Sequence, residues 1–338
     1  MTRQPIGPAR APNIRDVARC AGVSYQTVSR VLNHSAGIRP QTRQRVLDAI
    51  TELGYRPNQA ARALVTSRSQ VIGVLVATRA AAYGVQKMVY EIEDAAGDAG
   101  YRVAIATCLS DDVSVRDAVD RLVAQAVEAL VVVGPQAGVF NRLTAHPLAI
   151  PFVMVASDRH DDLSVSFDQV EGARIATRHL IELGHTRILH LAGPVGWVEA
   201  DARMRGYLAE LADHGLAPRP VIRCEWTADS GYRAACEVLG TTDVTAVFCS
   251  NDQTALGLLH ALHESGRRVP QDVSVIGFDD VPDSAHYRPP LTTIRQDFAV
   301  AGQRAVGMLL AQLRAAPPPP ADPVRPRLVV RDSTAPPG

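Results

Sequence analysis

Residues 13–33 read NIRDVARCAGVSYQTVSRVLN. Behind Asn13, an N-cap residue type, the apolar positions Ile14, Val17, Ala18 and Ala21 recur at helical spacing. Gly22-Val23-Ser24 interrupts that pattern: Gly22 suits a left-handed C′ position, and Ser24 can cap a following helix. The second helix runs from Tyr25 to about Leu32. It buries Val28 and Val31, while Tyr25, Gln26, Ser29 and Arg30 project elsewhere. A third helix has Pro40 in its first turn, an apolar stripe of Val46, Leu47, Ile50 and Leu53, and Gly54 as terminator. Two short helices joined by a glycine-bearing three-residue turn make a helix-turn-helix, whose second helix starts inside the DNA major groove. Tyr25 and Gln26 stand at that start. Glutamine pairs with an adenine edge, and Arg30 can pair bidentately with guanine.

Charge supports the same reading. Residues 1–68 hold eleven arginines against Asp16, Asp48 and Glu52, a net +8, and the chain of 338 residues is neutral overall. A basic head on an acidic body suits phosphate binding at one end only. Residues 1–11, rich in Pro and Gly, are expected to be a disordered tail, and 12–57 the DNA-binding domain. Residues 58–68 read as a short Ala-rich helix and linker, too brief to persist alone in water.

Past Ser69 the pattern changes to apolar runs alternating with amphipathic helices. VIGVLVA (71–77), RVAIATC (102–108), ALVVVG (129–134) and PFVMVA (151–156) form one series. RILHLAG (187–193), PVIRC (220–224), TAVFCS (245–250) and VSVIGF (273–278) form another. Continuous apolar strands separated by helices mean parallel sheets covered on both faces, here as two Rossmann-like subdomains. The expected limits are 69–166 plus 296–326 for the first and 167–295 plus 327–332 for the second. A ligand would bind at the carboxyl ends of the strands, in the cleft between the halves.

Several function classes lack support. GxGxxG, a P-loop, HExxH and GxSxG are all absent, so no catalytic residue and no cofactor is expected. His185, His190, His260 and His263 show no metal-ligand spacing, and a solvated helix face accounts for His260 and His263. The five cysteines are sparse and odd in number, as buried thiols of a reducing compartment are. No apolar run is long enough to span a membrane, and the N-terminus has no secretory apolar core. A cytoplasmic protein is expected.

The head and hinge, NIRDVARCAGVSYQTVSRVLN followed by TRQRVLDAITELGYRPNQAARAL, resemble those of the lac repressor family, and the resemblance extends from about Asn13 to Val330. It implies an allosteric, sequence-specific DNA-binding transcription regulator, most simply a repressor. The fold implied is an all-α helix-turn-helix head on an α/β, periplasmic-binding-protein-like body. Tyr25, Gln26 and Arg30 would read bases, and Ser24, Ser29, Asn33 and Thr42 would touch phosphates. Asn58, Ala61 and Leu64 would lie on the hinge helix, with Leu64 wedged into the minor groove.

In the body the resemblance implies an effector site. Arg203 would clamp hydroxyls or carboxylates, and Trp226 would stack on a sugar face. Asn251 and Asp279 would bond hydroxyls, with Gln296 and Phe298 at the crossover. That set suits a polyol. Two positions depart from the sugar-responsive pattern: Ala156 stands where many relatives carry Asp, with Asp158 two residues on, and Ala77 replaces a serine. Glu199 adds an acidic group nearby. The expected partners are therefore a pseudo-palindromic operator in double-stranded DNA, a small-molecule effector read as a sugar, and a second copy of the chain. No heptad follows the last strand, which favours a dimer. A purine or nucleoside corepressor is the alternative effector. A sugar-binding module without DNA function is the rival from another class, and it fails to explain the basic head.

Overall fold

The computed structural model describes residues 12–32, 37–55, 68–78, 82–109, 111–134, 136, 138–144, 148–155, 163–238, 243–320 and 322–338. The chain divides into two compact units, Met1–Ser69 and Gln70–Gly338. In the first, α1 (Ile14–Cys20), α2 (Tyr25–Leu32) and α3 (Pro40–Leu53) enclose a small core of Val17, Ala18, Ala21, Val28, Val31, Val46 and Ala49. The Asn13 side chain accepts from the Arg15 and Asp16 amides at 2.8 and 3.2 Å. Asp16 in turn accepts from the Asn13 amide at 3.0 Å, completing a capping box. Gly22 holds φ +62° and Gly54 φ +58°, the left-handed conformation that ends α1 and α3 without a Cβ clash. Ser24 Oγ accepts from the Thr27 amide at 3.2 Å and starts α2. One residue of the expected stripe differs. Leu47 is 43% exposed, because Val46 and Ala49 fill the core and the helical turn carries Leu47 about 100° away from Val46.

The second unit holds two parallel sheets. The first has the order β2-β1-β3-β4-β5, with β1 Val71–Val76, β2 Arg102–Thr107, β3 Ala129–Val133, β4 Phe152–Val155 and β5 Ser164–Val165. Alternate residues of β1 feed two cores. Ile72, Val74 and Val76 meet α4 (Tyr83–Asp98) and α11 (Phe298–Leu313), while Val71 and Leu75 meet α5 (Asp112–Ala124) and α6 (Val139–Thr144). Every residue of β1 and β3 is therefore buried, which explains their unbroken apolar sequence.

The second sheet has the order β7-β6-β8-β9, with β6 Ile188–Ala192, β7 Ile222–Arg223, β8 Ala246–Cys249 and β9 Ser274–Ile276. One face packs on α7 (Gln169–Glu182) and α8 (Val198–Asp213), the other on α9 (Ala228–Val238) and α10 (Asp252–Glu264). Close approach of α9 and α10 depends on glycine: a Cβ at Gly257 would lie 1.9 Å from the Ala228 carbonyl oxygen.

The chain passes between the sheets three times. It crosses first beside Phe167, which bridges to Val324. It crosses again after β10 (Thr293–Arg295), where α11 returns to the first sheet. The third crossing leads to β11 (Arg327–Val329), antiparallel to β10. These crossings line up the carboxyl ends of both sheets around one cleft, where α/β folds hold ligands.

Candidate functional site

Ser24, just before α2, and Tyr25, Gln26 and Arg30 on it are exposed, with Tyr25 at 56%, while Val28 and Val31 on the same helix are buried. Ser29 is half-buried. Thr42 is half-buried on α3, in a shallow depression shared with Arg39, Gln41, Gln44 and Arg45. Asn33, Asn58, Ala61 and Leu64 lie outside the described residues, as do Ala156, Asp158 and the N-terminal tail.

In the body, Arg203, Trp226, Asn251, Asp279, Gln296 and Phe298 converge on one cavity of about 70 Å³. All but Arg203 come from the loop after a strand or the start of a helix. Asn251 follows β8, Asp279 follows β9, Gln296 follows β10, and Phe298 opens α11. Arg203 sits in the second turn of α8 and is buried.

The polar end of the cavity is a closed ring of hydrogen bonds. Arg203 donates through Nε to Gln169 Oε1 at 2.8 Å and through Nη2 to Asp279 Oδ1 at 3.2 Å. Its Nη1 donates to the Ser250 carbonyl. Gln169 Nε2 donates to Gln296 Oε1 at 2.8 Å, and Gln296 Nε2 donates to Asp279 Oδ1 at 2.6 Å. The guanidinium also stacks on Phe278, 3.8 Å from the ring centroid. Burial lowers the Arg203 pKa, with Asp279 the strongest opposing influence. Burial likewise raises the Asp279 carboxyl, against Arg203 and Gln296. Each charge is tolerated because the other is there.

Two buried side-chain atoms have no hydrogen-bond partner among the described residues, Trp226 Nε1 and Glu199 Oε2, and both residues line the cavity. Trp226 is only 7% exposed. Both side-chain bonds to Asp279 land on Oδ1. Buried donors and acceptors are nearly always paired, and exceptions inside a cavity mark places for a ligand or water.

Asn251 is placed differently from a free ligand group. Its Oδ1 caps α10 by accepting from the Thr254 amide at 2.9 Å, and its Nδ2 donates to the Trp226 carbonyl and Gln253 Oε1. It lines the cavity as a fixed wall. Glu199 also lines the cavity, and Ala77 is fully buried at the end of β1.

Sequence reasoning missed Gln169, Tyr83, Phe167 and Trp197, which also line the cavity. Gln169 carries a readable signal: it follows the N-cap Asp168 at a helix start, just as Gln296 precedes the N-cap Asp297. Trp197 packs with Ala82, Ala200 and Trp226, and its backbone bridges to Gln136 across the cleft mouth. Among the described residues no group of His, Cys, Asp or Glu could hold a metal ion, and no helix is long and apolar enough to cross a membrane.

Comparison with known proteins gives this arrangement a lineage. Residues 13–58 match the family model for bacterial regulatory proteins of the lacI family, and residues 177–334 match that for a periplasmic binding protein-like domain. The chain is 38% identical over 300 residues to the lactose operon repressor of Escherichia coli (strain K12), covering 87% of this chain and 83% of that protein. It is 32% identical over 307 residues to the HTH-type transcriptional repressor PurR of Pasteurella multocida (strain Pm70), covering 89% and 91%. The crystal structure of the lac repressor dimer bound to operator and the anti-inducer ONPF superposes with a TM-score of 0.85 at 35% identity, over 96% of this chain and all of that one. The transcriptional regulator CelR in complex with cellobiose gives 0.70 at 30% identity, over 95% and 99%. With a helix-turn-helix head and a two-sheet body of this kind, the chain belongs to the lacI family of bacterial regulatory proteins and is a DNA-binding transcriptional repressor.

Proposed function

We propose that the protein is a homodimeric repressor whose affinity for a pseudo-palindromic operator is set by a sugar-like effector in the body cleft. The observation that carries the effector reading is the pair of unsatisfied atoms in an aromatic-walled cavity. Trp226 Nε1 offers a hydrogen bond, Glu199 Oε2 accepts one, and a hydroxyl group does both. Tyr83, Phe167, Phe298 and the two tryptophans supply apolar faces for the C–H side of a ring. In the head, Tyr25, Gln26 and Arg30 read base edges, while Ser24, Ser29, Asn33 and Thr42 contact phosphates; Asn58, Ala61 and Leu64 act from the hinge.

Effector binding favours one arrangement of the two sheets about their three crossings. The operator responds through a coupling free energy on the order of 1–3 kcal/mol. The lac repressor dimer bound to operator and the CelR–cellobiose complex, both similar along nearly the whole chain, support this reading.

A second reading, a purine effector, is favoured by the 32% identity to PurR and by aromatic walls suited to a planar heterocycle. Thermal-shift titration of the protein with sugars, purines and nucleosides separates the two, since a ligand bound only by the native state raises its midpoint. Stabilisation by hydroxyl-rich rings supports the sugar reading; stabilisation confined to purines replaces it.

A further inference from the structure

Asp279 is followed by Asp280, and both residues hold left-handed backbone, with φ +99° and +52°. Two consecutive side-chain-bearing residues in that region persist only where the surroundings impose it. Around Asp280 the surroundings are two arginines. Arg295 Nε donates to Asp280 Oδ2 at 2.5 Å, and Arg331 Nη2 donates to Oδ1 at 2.6 Å. The Asp280 side chain is only 6% exposed, and that of Arg331 17%. Arg331 is itself fixed, because its Nη1 donates to the Leu291 carbonyl at 2.6 Å and to Ser284 Oγ at 3.2 Å. Burial raises the Asp280 carboxyl, but Arg331 and Arg295 outweigh it and hold the group below the ordinary carboxylate range.

The two arginines come from the chain at the end of β10 and just past β11, the two antiparallel strands at the crossings. Arg295 ends β10, and Arg331 lies two residues beyond β11. The neighbouring Asp279 amide donates to the Ile294 carbonyl at 2.8 Å. We propose that Arg331 is a positioning residue: with Arg295 it clamps Asp280, and the clamp holds the Asp279 carboxylate at the cleft. The crossing strands and the cavity carboxylate are thereby one mechanical unit, so a rotation that parts β10 from β11 also moves Asp279. The effector consequence rests on the reading of Asp279 as an effector contact; the clamp itself does not.

Hydrogen exchange of the full-length protein, followed on peptides spanning 277–282, tests the clamp. Arg331→Met is expected to speed exchange of the Asp279 amide at least tenfold, with β6 and α10 unchanged. Arg331→Lys, which keeps a charged donor, is expected to restore most of the protection. Asp280→Asn combined with Arg331→Met should exchange no faster than Arg331→Met alone. Exchange within twofold of the unsubstituted protein in Arg331→Met overturns the proposal, and so does equal loosening of β6 and α10. Titration of ONPG, a ligand of a solved lac repressor structure, separates the two levels. A tenfold loss of affinity supports both, whereas unchanged affinity with faster exchange keeps the clamp and removes Asp279 from the effector site.

Discussion

The indole rings of Trp197 and Trp226 meet edge to face, with centroids 5.4 Å apart and planes at 68°. Trp197 caps the start of α8 and Trp226 follows β7, so the pair closes one end of the cavity over Arg203. These are the two tryptophans of the chain, and each is 7% exposed. Tryptophan emission of the intact protein therefore reports the cleft alone. A ligand identified by thermal shift should change emission intensity or wavelength, and Trp226→Phe should remove most of that change. A bound ligand that leaves the spectrum untouched would place its site elsewhere.

Gly193 sets the position of Trp226. A Cβ there would lie 2.2 Å from the far edge of the indole, nearer than atoms can approach. Gly193→Ala should push Trp226 toward the cavity and cost about 1–3 kcal/mol in denaturant unfolding. Effector affinity should fall much further than DNA affinity, because the head folds around its own core.

Arg203 and Asp279 are both buried and each offsets the charge of the other. Arg203→Met leaves a buried carboxylate uncompensated and should cost roughly 3–5 kcal/mol by urea or guanidinium unfolding. Adding Asp279→Asn to that variant removes the stranded charge and should recover part of the loss. A double variant no more stable than Arg203→Met would show that the pair is not energetically coupled.

Much of this architecture was legible before any coordinates, and the limits are instructive. The runs of β1 and β3 read correctly because burial on both faces leaves an unbroken apolar sequence, while the edge strands β2 and β7 are only partly buried. Asn13, Gly22, Ser24, Pro40 and Gly54 read correctly because capping is local chemistry. Three elements had no such signal. β5 is two residues long, β10 is three and α6 is six, too short for a period to show. In the cleft, residues at strand ends were found by motif. Trp197 and Gln169 were missed because their partners lie 29 and 34 positions or more away. Asn251 shows the converse: the motif named it, but folding commits its amide to a helix cap.

His190 gives a pH dependence. Burial between Tyr207 and Phe248 depresses its pKa from 6.5 to about 3, against the opposing bond to the Phe248 carbonyl. The unfolded chain takes up the proton first as pH falls, so the native state is fully favoured only above about 6.5. Stability should drop between there and about 3, at up to roughly 1.4 kcal/mol per pH unit from this group. His190→Gln should flatten the profile over that interval in urea titrations at fixed pH. An unchanged slope would show that the imidazole titrates normally.

The central claim, a DNA reader governed by a cleft ligand, is tested most directly by selecting duplexes from a random pool with the full-length protein. Binding to the enriched sequence is then measured by fluorescence anisotropy with and without the thermal-shift ligand. The expected result is a two-fold symmetric site whose affinity changes at least fivefold with ligand, an effect lost in Arg203→Met. Gln26→Ala should relax preference at one base position in each half by about 1–3 kcal/mol. Failure to enrich any sequence, or an affinity indifferent to a ligand bound in the cleft, would contradict the account.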